Sequence, residues 1–243
     1  SGVCDLQDES VVKQLRKKHP GRKPSDFDFG VGVGSQHGAY FEGARDLSVN
    51  LRGVFRKLRR RAAPGPDGQR NEHLIALDRR GKWRDERASG VMKLASDFAT
   101  LESNGRFPSW YYEAAAAVKL TALRKPEPPG PDGTPAARPI GAGNVWRRAT
   151  ARAIVANLKK KIAETCLPVQ FGVGVPNGAS IMQSALRASI EDPERRGWVL
   201  LQLDKKNAFN ELKRGTVIEE LRGFGFTALA RYAYLWLAPS SAI

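Results

Sequence analysis

Apolar side chains recur at the spacing of an α-helix along most of the chain, and this periodicity constrains the fold more than any other feature. The two longest segments with this pattern, 88–103 and 145–163, each have one apolar and one polar side. An Asn104-Gly105 pair follows the first segment and predicts where that helix ends. The shorter helical segments are 45–58, 214–224 and 227–237, with further stretches that end at Leu77 and begin at Ile181.

Four of these segments carry apolar positions that we expect to face the interior, because helical spacing brings them to one side. These positions are Leu47, Leu51, Val54, Phe55 and Leu58; Val91, Leu94, Ala95, Phe98 and Leu101; Ala151, Val155, Leu158 and Ile162; and Ile181, Met182, Ala185 and Leu186.

A pattern typical of β-strands occurs in three short stretches. Two of them, 117–126 and 136–140, are separated by a loop too rich in Pro and Gly for regular structure, and they predict an antiparallel hairpin. The third, 198–203, is an apolar run that predicts a buried strand ending at Asp204. Helices with a small antiparallel sheet indicate the α+β class.

The charge of the chain points to a polyanionic partner. Lys and Arg number 40 against 25 Asp and Glu, which gives a net charge of +15. Nucleic acid is the first candidate partner, although a solvated basic surface without a specific partner is the alternative. Two clusters hold many of these charges: Arg52, Arg56, Lys57, Arg59, Arg60 and Arg61; and Arg147, Arg148, Arg152, Lys159, Lys160 and Lys161.

The sequence shows no pattern typical of a metal-binding, membrane-spanning or secreted protein. Cys4 and Cys166 are far apart, and together with three histidines they show no metal-site spacing. The longest apolar stretch near the C-terminus, 232–239, is shorter than the roughly 20 residues of a membrane span. No signal peptide is visible at the N-terminus. We therefore expect an intracellular protein that does not enter membranes.

Asp204 is a single carboxylate at the end of the predicted strand. Such a rigidly held oxygen ligand suits Mg²⁺, which is bound through one or two carboxylates together with substrate phosphates. In two-metal phosphoryl transfer, an aspartate of this kind binds both ions. The alternative is an aspartate that only caps the following turn.

Five stretches, in this order and at this spacing, resemble the reverse transcriptases of non-LTR retrotransposons and group II introns. They are GPDGQRNEHL at 65–74, RFPSWYYEAAAAVKLTALRKP at 106–126, RPIGAGNVWRRATARAI at 138–154, QFGVGVPNGAS at 170–180 and LQLDKKNAFNEL at 201–212. The resemblance covers roughly residues 60 to 225. It implies a right-hand polymerase: a partly flexible N-terminal extension over 1–45, fingers over 46–168, and a partial palm over 169–243.

The resemblance also implies a role for individual residues. Asp204 matches the first metal-binding and catalytic aspartate, and Phe209 matches the steric gate that excludes ribonucleotides by filling the space of the 2′-hydroxyl. Arg138 matches the arginine that holds the triphosphate, a task suited to a bidentate guanidinium. The further nucleotide-binding positions are Lys125, Arg124, Asn207 and Ala208. The template-binding positions are Gln170, Gly172, Gly174, Gly178, Arg147 and Arg148.

The implied function is RNA-directed DNA synthesis with Mg²⁺, an RNA template, a DNA primer and dNTP, in the nucleus if the element is eukaryotic. The chain ends at Ile243, before the family's Asp-Asp motif and thumb. We therefore expect this chain alone to provide one ligand of a two-metal site, to be inactive, and to self-associate. The alternative is a degenerate or domesticated RNA-binding or assembly module without catalysis. Phe209 disfavours an RNA virus polymerase.

Overall fold

A computed structural model describes residues 2–18, 41–78, 86–130, 133–204 and 211–238. Within these ranges the chain is mainly helical with one two-stranded antiparallel sheet, so the predicted α+β class is confirmed. The elements are α1 (Glu9–Lys18), α2 (Asn71–Leu77), α3 (Glu86–Ser103), α4 (Ser109–Ala116), β1 (Val118–Arg124), β2 (Ala137–Gly143), α5 (Val145–Cys166), α6 (Gly178–Glu191), α7 (Arg214–Gly223) and α8 (Thr227–Leu237), with 3₁₀ turns at Phe55–Lys57 and Pro193–Arg195.

The chain forms two compact units. The first comprises Ser1–Ala153 and Asn207–Ile243, and the second comprises Ile154–Lys206. The first unit contains both strands and most helices, whereas the second contains the end of α5 together with α6. The boundaries of these units differ from those at 45 and 168 that the sequence suggested, and the assignment to fingers and palm stays a prediction.

The predicted helix over 45–58 is wrong, because only the turn Phe55–Lys57 is helical there. Residues 47–51 run along α3 instead, and their alternate amides donate to side chains spaced by four on that helix. Two extended residues advance about 6.6 Å and four helical residues about 6 Å, so the spacings match. The bonds are Leu47 N to Asn104 Oδ1 (2.8 Å), Val49 N to Thr100 Oγ1 (3.1 Å) and Leu51 N to Ser96 Oγ (3.1 Å).

This arrangement reverses the face of α3 that is buried. Of the apolar positions expected inside, Val91, Leu94, Phe98 and Leu101 are exposed to varying degrees, and Ala95 is half-buried. The buried face carries Met92 and Ala99 together with the polar residues Glu102, Ser103 and Asn104. The predicted end of the helix is confirmed, since Gly105 has φ +75° and its amide bonds the carbonyl of Glu102.

The carboxylate of Glu102 joins three helices of the first unit. It accepts hydrogen bonds from Tyr111 Oη of α4 (2.6 Å) and from Trp146 Nε1 of α5 (3.2 Å). Tyr112 Oη donates to the backbone carbonyl of the same residue (2.8 Å). Glu102 is only 1% exposed. Burial raises the pKa of its carboxyl, although the bonds from Tyr111 and Trp146 oppose this effect.

The two C-terminal helices pack into the first unit. Ile218 of α7 and Ala230 and Tyr234 of α8 form an apolar cluster with Phe41. Trp236 of α8 makes an edge contact with the ring of Tyr112 in α4, with centroids 5.4 Å apart. The helices predicted over 214–224 and 227–237 are thus confirmed, and they are integral to this unit.

An ion-pair cluster holds α8 to the end of α3. The Arg231 guanidinium donates to Asp46 Oδ1 (3.0 Å) and to the side chain of Asn104, which itself binds Leu47. Arg106 pairs with the other oxygen of Asp46 (3.1 Å). These two arginines lower the pKa of the Asp46 carboxyl, chiefly through the Arg106 bond.

In the second unit, α6 presents apolar side chains to solvent. Ile181, Met182, Ala185 and Leu186 are exposed, although their spacing predicted an interior position. Val155 of α5 is exposed as well, whereas Leu158 and Ile162 are half-buried. Helical periodicity identified the apolar side correctly, but it cannot show whether another element packs on that side.

Replacing Glu102 tests its role in the fold. A raised carboxyl pKa adds stability below the ordinary Glu pKa, and that contribution is lost as pH rises through the folded value. Glu102→Gln cannot ionise and does not lose this contribution. The Tm of the variant minus the Tm of the native chain should therefore increase as the pH is raised from 4 to 7. Glu102→Ala leaves buried donors without a partner and should cost about 2–4 kcal/mol.

Thermal unfolding across this pH range measures both effects, and Glu113→Gln, an exposed position on α4, is the matched control. Parallel pH profiles for the native chain and Glu102→Gln would contradict the role given to the buried carboxylate.

Candidate nucleotide and nucleic-acid site

The predicted hairpin is present, and its register decides which side chains can act together. β1 and β2 pair from Val118 with Gly143 to Arg124 with Ala137. Alternation along the strands gives the hairpin two faces. One face, here called the covered face, carries Ala122 and Ala137, which are buried in a cluster with residues of α1. The other, the open face, is largely exposed.

Arg138 lies on the open face, opposite Leu123. Its side chain is exposed, as a phosphate-binding guanidinium must be. Arg124 pairs with Ala137 and therefore belongs to the other face, so the structure does not bring the two arginines together. Lys125 follows the end of β1, and its ammonium group pairs with Glu127 Oε1 at 3.3 Å.

Three residues of the open face were not identified from the sequence. Lys119 pairs with Ala142 and Thr121 pairs with Ile140, so Lys119, Leu123 and Ile140 share the face of Arg138. Leu123 and Ile140 are exposed apolar side chains. The face therefore combines apolar surface with two cationic side chains. The alternation of residues 119, 121 and 123 could have indicated it, once the register was known.

The turn at 65–68 fixes the junction between β2 and α5. Asn144 caps α5 by accepting from Trp146 N (2.8 Å) and Arg147 N (3.2 Å), and its amide donates to Asp67 Oδ2 (2.7 Å). Gly65 packs on this cap so closely that an added Cβ would lie 2.9 Å from Asn144 Cα. The turn thereby holds the start of the basic helix α5 at the base of the hairpin.

Arg147, predicted to bind the template, is instead engaged inside the fold. Its Nη1 donates to the carbonyl of Ala116 (3.3 Å), and its guanidinium lies 5.3 Å from the ring centroid of Trp236. Burial lowers the pKa of Arg147. A direct template contact by Arg147 stays a prediction, and it would require the guanidinium to leave its carbonyl and aromatic partners.

Arg148 and Arg152 of α5 join the 57–63 segment. Arg148 Nη2 donates to the carbonyl of Ala63 (2.9 Å), and Arg152 Nη1 donates to that of Lys57 (3.0 Å). Charges from two distant parts of the sequence therefore meet on one side of the first unit. We call this the basic surface; its members are Lys57, Arg59, Arg60, Arg61, Arg148 and Arg152. Arg56 is not included, since it pairs with Asp78 (2.8 Å).

The predicted template loop uses its glycines for its own packing. Gly174 has φ +74°, and a Cβ there would lie 2.9 Å from that of Ala163. A Cβ at Gly178 would overlap the carbonyl of Phe171. Gln170 Oε1 accepts from the amide of Gly172 (2.6 Å). Two of the three glycines thus permit close approach within the protein, and a contact with template stays a prediction.

Asp204 is exposed at the end of a segment that has no regular secondary structure and no strand partner. The predicted buried strand over 198–203 is wrong, since Trp198, Val199 and Leu203 are 74%, 89% and 82% exposed. A strand requires a neighbouring backbone, and the single strand pair in the described ranges is β1 with β2. The predicted sites at Asn207, Ala208 and Phe209 lie outside the described residues.

The described residues offer at most a part of a metal site. No group of three His, Cys, Asp or Glu in these ranges could hold a metal ion. Asp204 can supply one exposed carboxylate, which fits an ion that keeps most of its water ligands. Of the described helices, none is both long and apolar enough to cross a membrane.

No family model and no solved structure matches the chain. It is similar to the Retrotransposable element SLACS 132 kDa protein of Trypanosoma brucei gambiense, with 29% identity over 170 residues. The match covers 70% of this chain and 13% of that protein, so the chain spans a small part of this relative's length. The similarity indicates a retroelement origin for the chain.

Proposed function

We propose that the chain is part of a retroelement reverse transcriptase, an RNA-directed DNA polymerase, and that it contains the fingers and the first part of the palm. The observation that carries the proposal is the hairpin, which presents Arg138 on an exposed face. A retroelement origin and the order of the five sequence stretches support the same activity.

In this function, the open face binds the incoming dNTP. The Arg138 guanidinium holds phosphate oxygens in a bidentate manner, which fixes the triphosphate and stabilises negative charge that develops during transfer. Leu123, directly opposite Arg138 on β1, and Ile140, two residues further along β2, provide apolar surface that excludes water from this contact.

The basic surface binds the RNA backbone. Its six side chains carry positive charge and outnumber the nearby carboxylate of Glu72, which accepts from the Arg61 amide (2.6 Å). Arg59, Arg60 and Arg61 are exposed and can neutralise phosphates. Because such contacts do not read bases, this surface gives affinity for RNA without sequence preference.

Asp204 provides one carboxylate ligand for Mg²⁺. The ion would supply positive charge that offsets the charge of the triphosphate and lowers the pKa of the primer 3′-hydroxyl. The exposure of Asp204 leaves its carboxylate accessible for this role. Phe209 is proposed as the gate against ribonucleotides.

A second candidate function is RNA binding without catalysis, in a degenerate or domesticated retroelement protein. It is favoured by the unpaired state of 198–204 and by the lack of a three-ligand metal cluster among the described residues. DNA synthesis by the intact retroelement protein distinguishes the two functions.

Arg138→Ala in that intact protein should raise the dNTP KM roughly 10- to 100-fold, as expected for the loss of charged hydrogen bonds. Asp204→Ala should abolish synthesis and leave RNA binding nearly unchanged. Steady-state primer extension on an RNA template, with a filter-binding assay in parallel, measures both.

Arg124→Ala is the matched control, because Arg124 is on the same hairpin but on the opposite face. The polymerase assignment would be contradicted by an Asp204→Ala variant that keeps substantial synthesis. An equal KM increase for Arg124→Ala and Arg138→Ala would contradict the role of the open face.

The basic surface should make RNA binding by the 243-residue chain steeply salt-dependent. Removing two phosphate contacts with Arg59→Gln and Arg60→Gln should reduce the slope of log K against log salt by about 1.4 for single-stranded RNA. The control removes two exposed charges from α1, with Lys13→Gln and Lys17→Gln, and should leave the slope nearly unchanged. Equal reductions in both double variants would show that net charge, and not this surface, is responsible.

A further inference from the structure

The hairpin has two outer edges whose backbone groups need partners. Lys125 N donates to Ala136 O, so these two residues form a hydrogen-bonded pair. In an antiparallel ladder every second pair is hydrogen-bonded, and the next such pair is therefore Leu123 with Arg138. The N–H and C=O groups of Ala122, Arg124 and Ala137 consequently point away from the partner strand. In a two-stranded sheet these groups face solvent unless other segments bind them.

Residues 2–4 bind the outer edge of β1. Val3 forms an antiparallel bridge with Leu123, Cys4 N donates to Ala122 O (2.8 Å), and Arg124 N donates to Gly2 O (2.9 Å). The start of the chain therefore forms a short antiparallel bridge with the outer edge of β1, although it is distant in sequence from the hairpin.

Side chains of α1 bind the outer edge of β2. Gln14 Oε1 accepts from the amide of Ala137 (3.0 Å), and Lys18 Nζ donates to the carbonyl of the same residue (2.5 Å). The same ammonium group also donates to Gln14 Oε1 (3.2 Å). Both outward groups of Ala137 thus have side-chain partners, in the place where a neighbouring strand would supply backbone.

The helix also covers the face between these edges. Val11 and Leu15 pack against Cys4, Ala122 and Ala137, and all five side chains are buried. Asp8 starts the helix by accepting from the amide and hydroxyl of Ser10 (2.9 and 2.6 Å). Residues 2–18 therefore contact the hairpin at both outer edges and on the covered face.

We propose that residues 2–18 form an N-terminal clamp that positions Arg138, with Gln14 as its main positioning residue. Arg138 follows Ala137 directly, so the two bonds from α1 fix the strand one residue before the guanidinium. The clamp shapes the hairpin itself, whereas its effect on nucleotide binding rests on the proposed polymerase function.

Hydrogen exchange in the 243-residue chain tests the clamp without any enzymatic readout. Gln14→Ala removes the acceptor of the Ala137 amide, so exchange at Ala137 and at neighbouring β2 amides should accelerate at least about tenfold. Exchange in α3 should stay unchanged, which excludes a general loss of stability. Gln14→Glu keeps an acceptor, adds an ion pair with Lys18, and should restore protection to within about twofold.

Gln7→Ala is the matched control, because Gln7 is an exposed glutamine of the same N-terminal segment. It should leave exchange in the hairpin unchanged. Unaltered protection of Ala137 in Gln14→Ala would overturn the clamp, whatever the enzymatic activity of the protein.

Primer extension by the intact retroelement protein then tests the effect on Arg138. Gln14→Ala should raise the dNTP KM about three- to tenfold with little change in kcat, and Gln14→Glu should reverse the increase. If Arg138→Ala raises KM but Gln14→Ala does not, the positioning role is overturned. If Arg138→Ala has no effect, the proposed nucleotide role of Arg138 fails, and hydrogen exchange alone decides the clamp.

Discussion

The buried carboxylate of Glu102 is the interaction on which the first unit depends. It binds side chains from α4 and α5, while the same end of α3 binds residues 47–51 and Arg231 of α8. A buried charge is costly unless its oxygens are bonded, so each bond to Glu102 selects one arrangement of these helices. Replacing the carboxylate by an apolar residue would leave the half-buried Tyr111 hydroxyl and Trp146 N–H without this acceptor, which explains a polar residue at a buried position.

This arrangement sets where the candidate functional groups lie. Trp146 fixes the first turn of α5 to Glu102, and Asn144 caps that turn and binds Asp67. The same helix then contributes Arg148 and Arg152 to the basic surface, while β2, which immediately precedes it, carries Arg138. The hairpin and the basic surface therefore both adjoin the junction between β2 and α5. The bond from Trp146 to Glu102 in the interior holds this junction in place.

Sequence patterns predicted elements well where local signals decide them. The hairpin, the C-terminal helices and the end of α3 at Gly105 all follow from periodicity and turn residues. The sequence patterns gave wrong predictions where contacts with residues distant in sequence determine the local structure. Residues 47–51 lie along α3, where Ser96, Thr100 and Asn104 bind their amides, and 198–203 is exposed and has no strand partner among the described residues. For the site, Arg138 could be identified from its motif. The placement of Arg124 on the opposite face of the hairpin depends on the strand register, and the partners of Arg147 depend on tertiary packing, so neither could be predicted.

We propose that the open face of the hairpin binds the incoming nucleotide while RNA lies on the same unit. Photo-crosslinking measures this directly: a dNTP with a photoreactive group is bound to the intact retroelement protein on a primed RNA template, and the labelled peptides are identified by mass spectrometry. We expect labelling of β1 and β2 at open-face residues such as Lys119, Leu123 or Ile140, dependent on the primed template. Labelling confined to regions outside the hairpin, or the same labelling without template, would contradict it.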